Sequence, residues 1–251
     1  MATSASDGSA GATRQRQVQR GLTRLLVRDM GTLRRLIRPQ SLEATVPDWI
    51  EAVRALVAQY GSASATAAAS YYEAERVAAA VTGQFTVPLL GPPPDEQVNN
   101  SLRWATKDLW PRDPDDPATT EAQKLPMDAR LDAAEKKAEA VAQKLVIDQG
   151  RGTVQGAVRQ DRMAVGYARA AALGACAFCR LLASRGMIYK QDTAGFRAHD
   201  GCNCGVVPVW RGQKFELSEH AKEWERLYRE YAAPFPGDQL RRFRRAIAEH
   251  G

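Results

Sequence analysis

No stretch of this sequence approaches the roughly 18 consecutive apolar residues that a membrane-spanning helix needs, so no membrane association is expected. Histidine is scarce: His199, His220 and His250 are the only three, which leaves few bases for proton-transfer chemistry. There is no phosphate-cradling glycine loop, no dinucleotide-binding fingerprint, no nucleophile elbow and no H-E-x-x-H helix. Those absences remove the commonest routes to nucleotide, α/β-hydrolase and metalloprotease chemistry. Residues 1 to 13 form a polar Ala/Ser/Gly tract without the apolar segment or cleavage site of a secretory leader. The chain therefore reads as cytosolic, and its thiols as reduced.

What the sequence does have is a concentrated set of soft metal ligands. All four cysteines fall within 29 residues, as Cys176 and Cys179 in C-x2-C spacing and, with His199, as H-x2-C-x-C through Cys202 and Cys204. A C-x2-C turn points two thiolates at a common centre, and a second cluster after a loop can complete a tetrahedral Zn2+ shell of four cysteines, or of three cysteines and one histidine. Five candidates compete for four places. Side chains alternate along a strand, so Cys202 and Cys204 would share a face and both could bind, with His199 hydrogen-bonded behind them. In the alternative His199 binds and one of these two cysteines becomes its neighbour. A catalytic zinc would need an open position and a carboxylate to handle protons. Asp200 is better read as a partner of His199 than as a base, and the deaminase order of H-x-E before C-x-x-C is absent. The site is expected to be structural, one zinc stapling a region too small to hold itself together.

Around this window the 251 residues read as ordinary globular sequence, 44% hydrophobic and 25% charged, with a net charge of +6. The expected fold is mainly α, a helical N-terminal body with a small zinc-stapled α+β knuckle and C-terminal helices. Residues 1–13 read as a disordered tail and 14–110 as helical. Within that region a helix over Thr13 to Arg38 is closed by Arg38-Pro39, a second starts at Pro47-Asp48 and stops at Gly61, and an alanine-rich core segment follows. Residues 111–126 are a proline-punctuated linker. Residues 127–172 carry long helices, one broken at Gly150 and Gly152 and another capped by Thr153 that runs through Val165 and Ala168. Short strands are expected at Met187-Ile188-Tyr189 and over Gly205 to Trp210, within a knuckle spanning 173–211. In the C-terminal helices, 212–251, Ser218 caps the first.

Positive charge is uneven. Between residues 14 and 38 eight arginines stand against Asp29 alone, and Arg241, Arg242, Arg244 and Arg245 repeat that character near the end. Arg14, Arg16, Arg20, Arg24 and Arg28 with the C-terminal four are candidate contacts to nucleic acid or to an acidic protein surface. The competing view is a solvated basic face.

Cys176-Ala177-Phe178-Cys179, a spacer with Gly195-Phe196, then His199-Asp200-Gly201-Cys202-Asn203-Cys204 and Pro208 resemble the C-terminal signature of the phage Mu F-like minor head proteins, in the form found in phages of actinobacteria. Positions 176, 179, 199, 202, 204 and 208 match that pattern. Asp200 departs where the family has proline, and Asn203 where a basic residue is common, but neither departure removes a ligand. The specific match covers about 35 residues, while the helical N-terminal part, including Pro47-Asp48-Trp49 and Ala69-Ser70-Tyr71-Tyr72, is similar in style only. The resemblance implies a structural minor capsid protein that is not an enzyme, assembled in the host cytoplasm. It would sit with the portal protein at the capsid interior, beside major capsid or scaffold proteins, with double-stranded DNA as a further contact. Two minority alternatives are a capsid maturation protease, for which Ser218-Glu219-His220 is the available serine and base, and a zinc-containing DNA-binding or nuclease module.

Overall fold

The computed structural model describes residues 3–187, 189–190, 198 and 201–251. Helix dominates, as the periodicity predicts. Among the described residues the elements in chain order are β1 (Ser4–Ser6), α1 (Ala10–Leu33), α2 (Leu42–Ala78), α3 (Asp95–Thr106), α4 (Met127–Gln160), β2 (Ala164–Ala170), α5 (Ala177–Ala183), β3 (Tyr189–Lys190), β4 (Gly205–Trp210), β5 (Lys214–Glu216), α6 (Glu219–Tyr231) and α7 (Gln239–His250). The chain divides into two compact units, one of residues 1–20, 65–90 and 150–251, the other of 21–64 and 91–149.

The unit of residues 21–64 and 91–149 is helix and turn. Its core is built from the apolar stripes of four helices, with Leu26 and Met30 from α1, Trp49, Val53 and Val57 from α2, Leu102 from α3, and Ala138, Ala142 and Val146 from α4. Each large side chain fully buried here stabilises by about 1.5–3 kcal/mol. The ion pairs of Arg34 with Asp132 and Glu135 at 2.6 Å are partly exposed and contribute about 0–1 kcal/mol each. α2 passes through both Pro47 and Gly61, where a start and a stop were expected. Pro47 removes one intrahelical bond near the helix start, and the burial of Val46, Trp49 and Ile50 around it offsets that loss. Gly61 lies under a neighbouring side chain, where an added Cβ would come 2.1 Å from Gln149 Oε1. Its smallness serves packing rather than termination.

The unit of residues 1–20, 65–90 and 150–251 carries the strands. α4 does not break at Gly150, Gly152 or Thr153. A Cβ at Gly152 would meet Leu90 Cδ2 at 2.3 Å, and Thr153 Oγ1 accepts from Leu90 N at 3.1 Å, so these residues receive a crossing segment rather than end a helix. The helix ends instead at Gln160. Asp161 Oδ1 accepts from Met163 N at 3.0 Å and turns the chain, and the residues expected to continue as helix through Val165 and Ala168 form β2. This strand is the centre of an antiparallel sheet ordered β3-β2-β4, paired with β4 from Ala164↔Trp210 to Ala170↔Gly205. Its small residues have modest β propensity, and burial between two neighbouring strands overrides it. Pro208 is tolerated because β4 is an edge strand.

Residues 4–13, expected to be disordered, are ordered. Ser4–Ser6 pairs in parallel with Lys214–Glu216, and α1 begins at Ala10. The anchor is Asp7, fully buried, whose carboxylate accepts from Ser218 N and from Ser218 Oγ, both at 2.7 Å. One buried, doubly bonded acid does here what an apolar stripe does elsewhere, and it leaves no periodicity to read.

A second buried carboxylate joins α2, α4 and the sheet. Asp161 Oδ2 accepts from Arg76 Nε, Trp210 Nε1 and Tyr72 Oη at 3.0, 3.0 and 3.1 Å. Burial pushes the Asp161 carboxyl up, but the hydrogen bonds from Met163 N, Trp210, Arg76 and Tyr72 outweigh it and hold the group below the usual carboxylate range. A depressed pKa contributes stability that is present above the unfolded value, about 3.9, and is lost as pH falls through the folded value. Asp161→Ala is expected to destabilise this unit by about 3–5 kcal/mol, because it removes the carboxylate partner of Arg76 and leaves the buried Trp210 indole without its acceptor. In urea titrations the gap between wild type and Asp161→Asn should be constant above about pH 5 and close below about pH 4. A gap that persists unchanged into acid would show that the charge on Asp161 is not what holds these elements.

Candidate metal centre

Three of the predicted ligands converge. Cys179 comes from the first turn of α5, and Cys202 and Cys204 come from the segment leading into β4; their sulfurs all lie within 4.8 Å of one another, and all three are buried. The expectation that Cys202 and Cys204 lie on a strand is corrected, because β4 begins one residue later at Gly205. Both still face the cluster. The fourth cysteine, Cys176, is exposed and is the N-cap of α5; its Sγ accepts from Cys179 N at 3.5 Å. Cys176, Cys179, Cys202 and Cys204 line one cavity of about 300 Å³, with Arg20 and Gly174 also on its wall. His199, Asp200 and the Gly195-Phe196 spacer lie outside the described residues.

The loop presenting Cys176 is held by Arg180 of α5. Its Nε donates to Ala175 O at 2.7 Å, its Nη2 donates to Leu173 O, and its guanidinium lies 5.5 Å from the Trp224 ring centroid. Beneath the cluster, α6 and α7 supply Ala221, Trp224, Leu227 and Phe243, which close an apolar floor under Cys179, Cys202 and Cys204.

None of the four cysteines is in a disulfide, and Cys179 Sγ lies 3.2 Å from Cys202 Sγ, against about 2.05 Å for a disulfide. Tetrahedral thiolates about 2.3 Å from a zinc ion sit about 3.8 Å apart. Cys179 Sγ and Cys202 Sγ are somewhat closer than that, and all three sulfurs lie within 4.8 Å of one another. Without a cation three buried sulfurs cannot all ionise. Hydrogen bonds from Cys179 and Cys204, with Arg151 nearby, hold the Cys202 thiol far below the ordinary range, while its bonds with Cys202 and Cys204 and its burial push Cys179 far above it. A divalent cation resolves that conflict by letting every sulfur carry charge. Cys179, Cys202 and Cys204 are therefore placed to hold a metal ion, with a fourth cysteine at hand.

Two arginines the sequence reading passed over complete the surroundings. Arg151 of α4, buried, donates from Nε to Cys204 O at 2.8 Å and from Nη2 to Cys202 O at 2.6 Å and Cys202 Sγ at 3.4 Å. Arg169 of β2, also buried, directs Nη1 at Cys179 Sγ at 3.8 Å. The available signal was position. Arg151 falls four residues after Ile147 and three before Val154 on the apolar stripe of α4, and Arg169 stands between Ala168 and Ala170 in a buried run.

The candidate basic contacts separate into groups. Arg14, Arg20, Arg24 and Arg28 are exposed, whereas Arg16 is half-buried and donates to Asp7 O at 3.2 Å and Thr13 Oγ1 at 3.1 Å, so its assignment as a surface contact is corrected. Burial lowers the Arg16 pKa, with Asp7 opposing. On α7, Arg241 is bonded to Asp238 and Arg242 lies over the Phe235 ring at 3.5 Å, while Arg244 and Arg245 are exposed. Ser218 occupies the N-cap position of α6, but its hydroxyl makes no capping bond and donates to Asp7 instead. His220 Nε2, 3.1 Å from Ser218 Oγ, therefore meets an oxygen whose proton is already directed at a carboxylate. That geometry does not activate the serine by the histidine.

A mainly helical chain with a cluster of three cysteines close enough to hold a metal ion is the class these features define. The chain belongs to the VG15 protein family, a viral gene family whose model matches residues 7–231, consistent with a phage protein. The match begins just after β1, takes in the cysteine cluster and α6, and stops before α7. Comparison with curated proteins and with solved structures finds no match.

In folded protein, with no chelator or denaturant added, limited alkylation with iodoacetamide should label Cys176 well before Cys179, Cys202 and Cys204, since of the four it alone is exposed. Peptide mapping that found all four labelled at one rate would contradict the burial of the other three.

Proposed function

We propose that this protein is a minor capsid protein of the Mu F-like type, acting in head morphogenesis of a tailed phage, and that one structural Zn2+ staples its cysteine region. The observation carrying the reading is the convergence of Cys179, Cys202 and Cys204, with Cys176 on the same cavity wall, in the order that the head-protein signature requires. Membership of a viral gene family supports the same direction. In this reading the zinc supplies local folding energy, and the helical remainder offers surfaces to the portal protein and to major capsid or scaffold proteins at the capsid interior.

Quantitative mass spectrometry of purified particles should find the chain at a few copies each, and reconstruction of procapsids should place it at the portal vertex. Its absence from particles would overturn the assignment. Purified protein should carry close to one zinc per chain, and chelation should remove the circular-dichroism and thermal-melting signature of the cysteine region. Metal-free protein with an unchanged melt would remove the structural role of zinc.

Exposure of Arg14, Arg20, Arg24, Arg244 and Arg245 supports a contact with packaged double-stranded DNA. Changing Arg14, Arg20 and Arg24 to Gln should flatten the salt dependence of DNA binding by roughly one unit of log-log slope per lost phosphate contact. The companion Arg16→Gln should leave the slope alone and lower thermal stability. If the triple variant binds DNA as wild type does but fails to enter particles, the partner is an acidic protein face instead.

A further inference from the structure

The cysteine cluster is bordered by two cations that cannot neutralise themselves. A guanidinium stays protonated under all conditions a protein meets, and burying it is costly unless negative charge and acceptors face it. Arg151 and Arg169 are 5% and 1% exposed, and both end on sulfur: Arg151 Nη2 on Cys202 at 3.4 Å, Arg169 Nη1 on Cys179 at 3.8 Å. They approach from different elements, α4 and β2, and meet different ligands. Arg151 also grips the carbonyls of Cys202 and Cys204, so that it sets the backbone from which both sulfurs project.

These contacts bear on which donor completes the shell. A divalent metal bound by three thiolates and a neutral imidazole leaves one negative charge, whereas four thiolates leave two. Two guanidinium groups directed at sulfur match the second. The fourth sulfur borders the group of three: Cys176 lines the same cavity of about 300 Å³, accepts from Cys179 N at 3.5 Å as a ligand of a C-x2-C knuckle would, and sits on a loop whose carbonyls at Leu173 and Ala175 are held by Arg180.

We infer that the metal centre is a four-thiolate site closed by Cys176, and that Arg151 and Arg169 are its cationic positioning residues. The inference rests on the metal-binding reading proposed above.

Cobalt(II), added to metal-free full-length protein, tests it, because the intensity of sulfur-to-cobalt charge transfer reports the number of thiolates bound. Wild type should take up one cobalt per chain with a four-thiolate spectrum, and His199→Ala should give the same spectrum. Cys176→Ser should lose the share of one thiolate in four. Arg151→Met and Arg169→Met should keep the four-thiolate spectrum but weaken cobalt affinity by about 10–100-fold, as loss of groups supporting metal ligands does. Arg151→Lys should recover part of that loss through its charge.

A three-thiolate spectrum in wild type, altered by His199→Ala and untouched by Cys176→Ser, would overturn the ligand assignment. Arginine variants with wild-type affinity would overturn the positioning role. Wild-type protein that takes up no cobalt would remove the metal reading itself, and that result is distinct from the other two. The wild-type spectrum counts thiolates without any substitution, so the assignment stays testable even if an arginine variant fails to fold.

Discussion

The buried guanidinium of Arg151 is the constraint on which the cysteine region depends. It sits on the inward face of α4, where its charge must be satisfied by something that reaches it, and the backbone carbonyls of Cys202 and Cys204 do so at 2.6 and 2.8 Å. Those two bonds bring the C-x-C segment against the helix and aim both thiols at Cys179. Removing the arginine would take a donor from each of two carbonyls; removing the segment would take these acceptors from a buried charge. Either loss costs more than the bonds contribute in net terms, because an unpaired group in a low-dielectric interior bears its whole desolvation penalty.

The same device recurs elsewhere in that unit. Asp161 gathers donors from α2, β4 and the α4 terminus, and Asp7 gathers the amide and hydroxyl of Ser218. Each pins together elements distant in sequence through a single charged side chain, and each replaces apolar contact where the local residues are small. Alanine, serine and glycine line β1 and β2. The other unit is held differently, by interdigitated aliphatic and aromatic side chains on helices, with its ion pairs towards the rim.

This difference explains which parts of the fold were legible. Helices α1, α3, α6 and α7 announce themselves by the 3.6-residue spacing of residues such as Leu22, Leu26, Trp224 and Phe243. The edge strand β4 shows in its run of valines. β2 was hidden, because Ala-Val-Gly-Tyr-Ala-Arg-Ala has no alternation and continues the composition of the helix before it; only pairing with β3 and β4 makes it a strand. The ordered N-terminus was hidden for a related reason, since Asp7 looks like any polar residue until Ser218, more than two hundred residues on, stands beside it. Glycine misled in both directions. At Gly61 and Gly152 it looked like punctuation and proved to be clearance for the side chains of Gln149 and Leu90.

The candidate site divides along the same line. Spacing alone singled out Cys176, Cys179, His199, Cys202 and Cys204 as candidate metal ligands, because C-x2-C and C-x-C pairs are local geometry and need no knowledge of the fold; the fold brings Cys179, Cys202 and Cys204 close enough to hold an ion. Periodicity likewise determined a mainly helical protein. Tertiary structure decided which arginines are surface and which are structural: Arg16 is drawn inward by Asp7, while Arg151 and Arg169, unremarked among neighbours of ordinary composition, end beside the sulfurs. The reason is that a buried charge is defined by what lies across from it, and for every one of these residues the partner comes from a different element of the chain.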